Sequence, residues 1–531
     1  MHGTSQGPRA WPARTLRRGL LLCVALVAAA TAQADDDKVR GTFRFGGTAR
    51  DMAFAAAGSS DGSLFVVGSF VGKADFDPTT AGQTALDAKD AEAPPARRLD
   101  GYLASYSAKG RFNWVVTMGG SGTNLAVTVA MGGDGVVCVG GSFEGTVDFD
   151  RRDPPDDEDT LATEAGRDAF VACYNLDGEF LWVRGFGDED ERRPKDPRSA
   201  VEFSESIRGV AIDADANVYA IGMFSGTIDL DPTEGLAQRR SVSGSRDAFV
   251  VSLDKRGEYR WGLALGGKGM DQGHAIALRR GGGVVVGGGF SDVVDFDVGT
   301  EREFGISAGS MDAYVAWYGA SGAFEHLVTF GSAGTDQVMD GCLTVDAGGA
   351  THVAGEFTGR VNVDPGNKGL MLDSQGRSDV FVVRYAQDGD LDWAFSLGGA
   401  GADSVHGLCL RAKGGVGVTG RFEGRVDFDP GRRKSWLEAP GTSGSTAAFV
   451  AAFGAKKKLR WARALGAVVE GPRTLTRGAG VFPRNDGGLT AVGTFYGNLD
   501  VDPSRKKRIL TNLGKSDVYV VRYDAKGKPL R

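Results

Sequence analysis

A segment of the form Gly-x-Phe-x-Gly-x-apolar-Asp-x-Asp recurs seven times along this chain, and no other feature limits the fold as much. It reads GSFVGKADFDP from Gly68, GSFEGTVDFD from Gly141 and GMFSGTIDLDP from Gly222. It continues as GGFSDVVDFD from Gly288, GEFTGRVNVDP from Gly355, GRFEGRVDFDP from Gly420 and GTFYGNLDVDP from Gly493. The phenylalanines Phe70, Phe143, Phe224, Phe290, Phe357, Phe422 and Phe495 are spaced 65 to 81 residues apart.

Each unit then repeats one order of parts. A strand opens with Asp and an aromatic, as in Asp168-Ala-Phe170 or Asp517-Val-Tyr519; the sixth unit keeps Phe449 but has Ala447 for the Asp. A tight turn such as Asp177-Gly178 leads to a strand carrying Trp114, Trp182, Trp261, Trp393 or Trp461, usually ending in Gly-Gly. An apolar alternation such as Val210-Ala-Ile212 opens the next unit. Four strands per unit, here called a to d in chain order, with short turns and no helical period, predict an all-β, seven-bladed β-propeller. A single blade is apolar on both faces, so stacking blades in a closed ring is what shelters them. The last unit stops after its strand c, and Gly41-Thr-Phe43-Arg-Phe45-Gly46-Gly47 matches the end of a strand d. The N-terminal strand is therefore expected to complete the last blade, with Phe43 and Phe45 replacing the missing Trp.

The repeats resemble the bacterial seven-bladed β-propeller repeat (SBBP-type) family of large exported proteins. The likeness rests on the G-x-F-x-G-x-V-D-F-D-P and D-A-F-V-x-x-Y-x-x-x-G-x-x-x-W segments and covers residues 41–531. It implies the fold and an extracytoplasmic setting, and no activity.

The N-terminus agrees with export. Arg9, Arg14, Arg17 and Arg18 precede an apolar run from Leu20 to Ala30, and Ala32-Gln33-Ala34 offers a cleavage site. Residues 1–34 read as a signal peptide, 35–40 as a linker and 41–531 as one propeller domain, secreted, periplasmic or at the cell surface. Loss of four leader arginines takes the net charge from −7 to −11. That balance gives no general pull toward nucleic acid or anionic membranes, and no later segment is apolar enough to span a bilayer. A monomer is expected.

Cys138, Cys173, Cys342 and Cys409 lie in apolar, strand-like stretches without CxxC spacing. Buried free thiols are the expected state, with a Cys138–Cys173 disulfide as the alternative. The Asp-x-Asp pairs (Asp75/Asp77, Asp148/Asp150, Asp229/Asp231, Asp295/Asp297, Asp427/Asp429, Asp500/Asp502, and Asn362/Asp364) would project from one face at the end of strand b. Turn capping is their expected role and Ca2+ binding the lesser alternative, since no loop completes a cage. No metal or other cofactor is expected. His274 and His406 open two strands a near the channel and His352 lies in a strand b, but no nucleophile, zinc or phosphate motif accompanies them. No catalytic residue is assigned.

The departures from the repeat point to a binding face. Residues 79–99, 151–167 and 431–446 read as long b–c loops and 188–205 as a long d–a loop, all on one rim. That rim carries acidic Asp156, Asp157, Glu158 and Asp159, and basic Arg432, Arg433 and Lys434 beside Trp436, with Arg505, Lys506, Lys507 and Arg508. Uneven charge on loops suits partner recognition. The expected function is a non-enzymatic binding or scaffold module for a protein or glycan at this rim. A propeller-based carbohydrate lyase or hydrolase, or a plain spacer, is the alternative.

Overall fold

The computed structural model describes residues 41–59, 61–79, 85–88, 99–120, 122–152, 155–163, 166–187, 205–233, 235–299, 301–366, 369–441, 444–467, 475–502 and 507–530. The leader, its cleavage site and the linker lie outside them, as does all of the 188–205 loop except Glu205. No helix among the described residues is long and apolar enough to cross a membrane.

Seven antiparallel sheets of four strands, in the order a-b-c-d, form a seven-bladed β-propeller. The strands a are Asp51–Gly58, Leu125–Met131, Ser206–Ile212, Gln272–Leu278, Gln337–Val345, Ser404–Arg411 and Thr476–Pro483. Each touches the next, and the last touches the first, so they encircle a central bore. The chain closes the ring with its two ends. Thr42–Gly47 pairs antiparallel with Asp517–Tyr523 and supplies strand d of blade seven, Phe43 opposite Val520 and Phe45 opposite Val518.

The energetic reason for the ring is visible in the core. Seven apolar clusters form, each shared by two neighbouring blades. Phe43 and Phe45 belong to the cluster between blades seven and one, where Phe45 stacks on Tyr106 at 5.5 Å and meets Phe76 at 5.6 Å. The tryptophans fasten the outside of the same interfaces. Trp182 Nε1 donates to Lys255 O, in the c–d turn of the next blade, at 3.1 Å, and Trp114, Trp261 and Trp461 do likewise. Gly257 in that turn has φ +79°, and a Cβ there would lie 2.9 Å from the Trp182 ring.

Two expectations about the b–c segment are corrected. Strand b ends at Phe70 in blade one, and Lys73–Asp75 is a separate short strand, so the apolar and acidic residues do not share one strand b. It pairs with Ala85–Asp87, and an equivalent outer hairpin occurs in all seven blades. The presumed insertions 79–99, 151–167 and 431–446 thus contain a repeated blade element, and Trp436 lies in the strand Trp436–Glu438, not in a loop. Four of these hairpins add to the outer edge of the preceding blade's strand d and cover what would be an open sheet edge.

The hairpins explain the Asp-x-Asp pairs. Asp229 Oδ1 accepts the N–H of Asp231 at 3.0 Å and that of Ala237 at 2.9 Å, closing the hairpin loop from within. Asp427 accepts from Asp429 and Ser435 in the same way. Only an acceptor is needed, which is why Asn362 serves in blade five, taking the N–H groups of Asp364 and Leu370. Among the described residues no three His, Cys, Asp or Glu side chains gather to hold a metal ion.

The cysteine expectation is half corrected. Cys138 and Cys173 face each other on strands b and c of blade two and are joined by a disulfide, while Cys342 and Cys409 are free and buried. Direct cross-strand pairing, not sequence spacing, brings the two sulfurs together.

Candidate binding site at the mouth of the bore

Some of the rim residues singled out in the sequence are engaged within the fold. Asp156 Oδ1 accepts the N–H groups of Glu158 and Asp159, while Asp159 is buried and its Oδ1 accepts the N–H of Asp156. These two acids build a turn, leaving Asp157 and Glu158 to face solvent. Arg508 is also corrected: its Nη1 donates to Leu530 O at 2.9 Å and its Nη2 to Thr42 O at 3.2 Å. It ties the two chain ends together rather than presenting its charge. Lys507 is exposed, and Arg505 and Lys506 lie outside the described residues.

On the blade-six hairpin the aromatic and basic residues are exposed. Trp436 is 47% exposed, with the Arg425 guanidinium 4.4 Å and the Lys434 ammonium 5.8 Å from its ring. Lys434 also pairs with Asp427 at 2.9 Å, and Arg432 and Arg433 stand free in solvent nearby.

A second cluster, which sequence reasoning did not assemble, lies inside the ring. It is built on the first residues of the strands a and the last residues of the strands b, at the rim of the d–a and b–c connections. His274 of blade four places Nδ1 2.6 Å from Asp340 Oδ1 of blade five and Nε2 3.0 Å from Gln272 Oε1. Arg208 of blade three reaches the other oxygen of Asp340 at 3.4 Å. Ser404 Oγ hydrogen-bonds Glu356 and lies 3.0 Å from His406 Nε2. Arg421 of blade six and Arg477 of blade seven complete the group.

His274 and Ser404 are buried, but the charged groups around them reach solvent, as residues lining a bore should. The Asp340 side chain is 36% accessible, and Arg421 and Arg477 are exposed although they sit on the inner two strands. Arg477 feels the charges of Asp340, Arg421 and Arg208. Blades seven and three are not neighbours in the ring, so that last interaction crosses the bore.

The electrostatics follow from this crowding. Burial works to raise the Asp340 carboxyl, but Arg208, then His274, then Arg477 outweigh it and hold it down at about 2. For Glu356 burial wins over Ser404, Arg421 and Arg477, and its carboxyl is raised. Burial, with the cations Arg477 and Arg421, holds His406 well below the usual imidazole range. Its Nδ1 is buried and has no hydrogen-bond partner. Among the described residues, neither the Arg421 nor the Arg477 guanidinium has a hydrogen bond or ion pair.

Two signals for this cluster were present in the chain. His274 and His406 open equivalent strands, and the x of Gly-x-Phe is charged only at Glu356 and Arg421. Asp340, Arg208 and Arg477 carried no such mark.

No protein-family model matches the chain, and no curated protein matches it. Similar solved structures include Sqt1 from Chaetomium thermophilum, with 11% identity over 92% of this chain and 99% of that one and a TM-score of 0.40. A protein of unknown function from Bacteroides caccae has 10% identity over 68% of this chain and 89% of that one, with a TM-score of 0.29. Rhamnogalacturonan lyase YesW has 10% identity over 92% of this chain and 76% of that one, with a TM-score of 0.27. Likenesses this remote say nothing of function.

Proposed function

We propose that this chain is an exported propeller of the SBBP-repeat kind that binds an anionic ligand at the mouth of its bore and catalyses no reaction on it. The supporting observation is the pair Arg421 and Arg477: two guanidiniums on adjacent blades, exposed to the bore and lacking any hydrogen bond or ion pair from a described residue. Each offers five N–H donors in a planar fork suited to a carboxylate, phosphate or sulfate. The cross-strand disulfide suits an oxidising, extracytoplasmic compartment. Ser404 does not stand in a nucleophile triad. Its hydroxyl is shared between Glu356 and His406, and His406 Nδ1, which an orienting acid would hold in a nucleophile triad, has no partner.

Calorimetric titration with sulfate and acetate at low salt tests this reading. Saturable binding is expected, weakened at least about tenfold, or about 1.4 kcal/mol, by Arg421→Ala or Arg477→Ala with unchanged melting. Equal heats for wild type and both variants would remove the bore from consideration.

A second reading keeps the original rim. The exposed Trp436 flanked by two cations supports docking of a protein or glycan on the blade-six hairpin. Trp436→Ala should then reduce recovery of a partner without changing the anion titration.

A further inference from the structure

An anion site made only to hold charge would have no use for acids, yet Asp340 and Glu356 stand among the arginines of the bore. The rest of the lining narrows the ligand further. Each strand a carries a bulge just after the residue opposite the glycine of Gly-x-Phe, so the bulged residues can be compared blade by blade. They are Phe54, Val127, Arg208 and His274 in blades one to four, and His406 and Ala479 in blades six and seven. Blade five replaces the single bulge with a longer irregular stretch holding Met339 and Asp340. Going round the ring, the arc from Ala479 through Phe54 to Val127 is therefore apolar, and Arg208, His274, Asp340 and His406 follow on the polar side.

Phe54 is the aromatic residue in this series. It is half-buried and belongs to none of the seven inter-blade clusters, so packing does not account for it. It stands in blade one, next to the blade that carries Arg477. The three residues that follow it on the strand, Ala55 to Ala57, are half-buried and small.

Three kinds of contact are thus offered to one ligand. The guanidiniums of Arg421 and Arg477 suit a carboxylate. The carboxylate oxygens of Asp340 and Glu356 have lone pairs beyond those used by Arg208, His274 and Ser404, and His406 Nδ1 has no partner. Such acceptors repel a bare anion but reward a ligand that brings hydroxyl donors. Phe54 offers an apolar face to a ring.

We propose that the ligand of the bore is an acidic saccharide, a polyhydroxylated ring bearing a carboxylate, with the carboxylate on Arg421 and Arg477, hydroxyls on Asp340 and Glu356, and one ring face on Phe54. The proposal rests on the reading of the bore as an anion site and specifies what the anion is attached to.

The test compares glucuronate and its oligosaccharides with glucose, acetate and sulfate, titrated calorimetrically into the purified protein. Glucuronate is expected to bind at least about tenfold more tightly than acetate or glucose. Phe54→Ala should weaken glucuronate about three- to tenfold, the scale of one lost ring contact, while leaving sulfate unchanged. Sulfate binding also certifies that this variant is folded. Asp340→Glu keeps the charge but moves it, and should likewise weaken glucuronate more than sulfate. If acetate and sulfate bind as tightly as glucuronate, and Phe54→Ala changes none of them, the saccharide is wrong and the anion site survives. If no anion binds, both fall.

Discussion

His274 and Asp340 stand on the inner strands of adjacent blades, and Nδ1 of the imidazole lies 2.6 Å from Oδ1 of the carboxylate. Arg208, from the blade on the other side of His274, closes on the second oxygen. Three blades are therefore joined by side chains at the mouth of the bore, in addition to backbone bonds such as Asp271 N–H to Arg246 O and Asp336 N–H to Met311 O.

That contact predicts a modest, measurable share of stability. Asp340→Ala should cost about 1–2 kcal/mol in denaturant unfolding, less than for a fully buried pair because more than a third of the side chain meets solvent. A change within about 0.3 kcal/mol would mean that the cross-blade contact is replaced by water without loss.

Ring closure should be the costliest feature to disturb. Phe45 is buried at the junction of blades seven and one, and Phe45→Ala is expected to cost about 3–5 kcal/mol. Removing residues 38–47 leaves strand c of blade seven with an open edge and should lower the melting temperature sharply. Arg508→Ala should cost about 1–3 kcal/mol through the lost bonds to Thr42 and Leu530. It should leave anion binding untouched, which separates a clasp from a ligand contact.

The disulfide closes a loop spanning 35 residues of sequence separation, for which chain entropy gives about 4 kcal/mol. Cys138→Ala with Cys173→Ala should approach that loss as an upper bound, since the two strands already pair. Mass analysis after alkylation without reductant should find Cys138 and Cys173 unmodified, and labelling of either residue in folded protein would contradict the bridge.

Stability should depend on pH in an unusual sense. Burial pushes the carboxyls of Asp51, Asp271 and Asp403 up to about 7, and those of Asp247 and Asp517 up to about 6, from an ordinary 3.8. Between those limits the folded chain binds more protons than the unfolded chain, so these groups favour folding at low pH, and that contribution is lost as pH rises toward 7. Asp340 and Asp346, held at about 2, act in the opposite direction, and their contribution is lost as pH falls below the ordinary value. The melting temperature should therefore peak on the acid side, at about pH 4–5, and fall by several degrees by about pH 8. Asp403→Asn copies blade two, where Asn124 already holds this place, and should flatten the decline. A profile that rises steadily to pH 8 would contradict the burial argument.

Much of the fold could be read in the sequence because each blade writes the same local pattern. Strand alternation, the Asp that starts strand c and the Trp of strand d repeat with nearly constant spacing, and neighbouring residues suffice to define them. Ring closure was legible for the same reason: blade seven lacks a strand d, and Thr42–Gly47 is a strand d without a blade. Even the role of the Asp-x-Asp pairs followed from turn chemistry, although the hairpin that they close did not.

The bore was different. Arg208, His274, Asp340, His406 and Arg477 span some 270 residues of sequence and obey no spacing rule, because each is a single departure in a different repeat. Arg508 looked like surface charge until the chain ends supplied two carbonyls for it, and Asp159 looked like surface acid until a turn enclosed it. The sequence by itself determined the blades, their number and how the ring is closed, since those depend on periodic patterns along the chain. Only the tertiary structure decided which charges meet, because their meeting depends on a ring that brings distant strands round one axis.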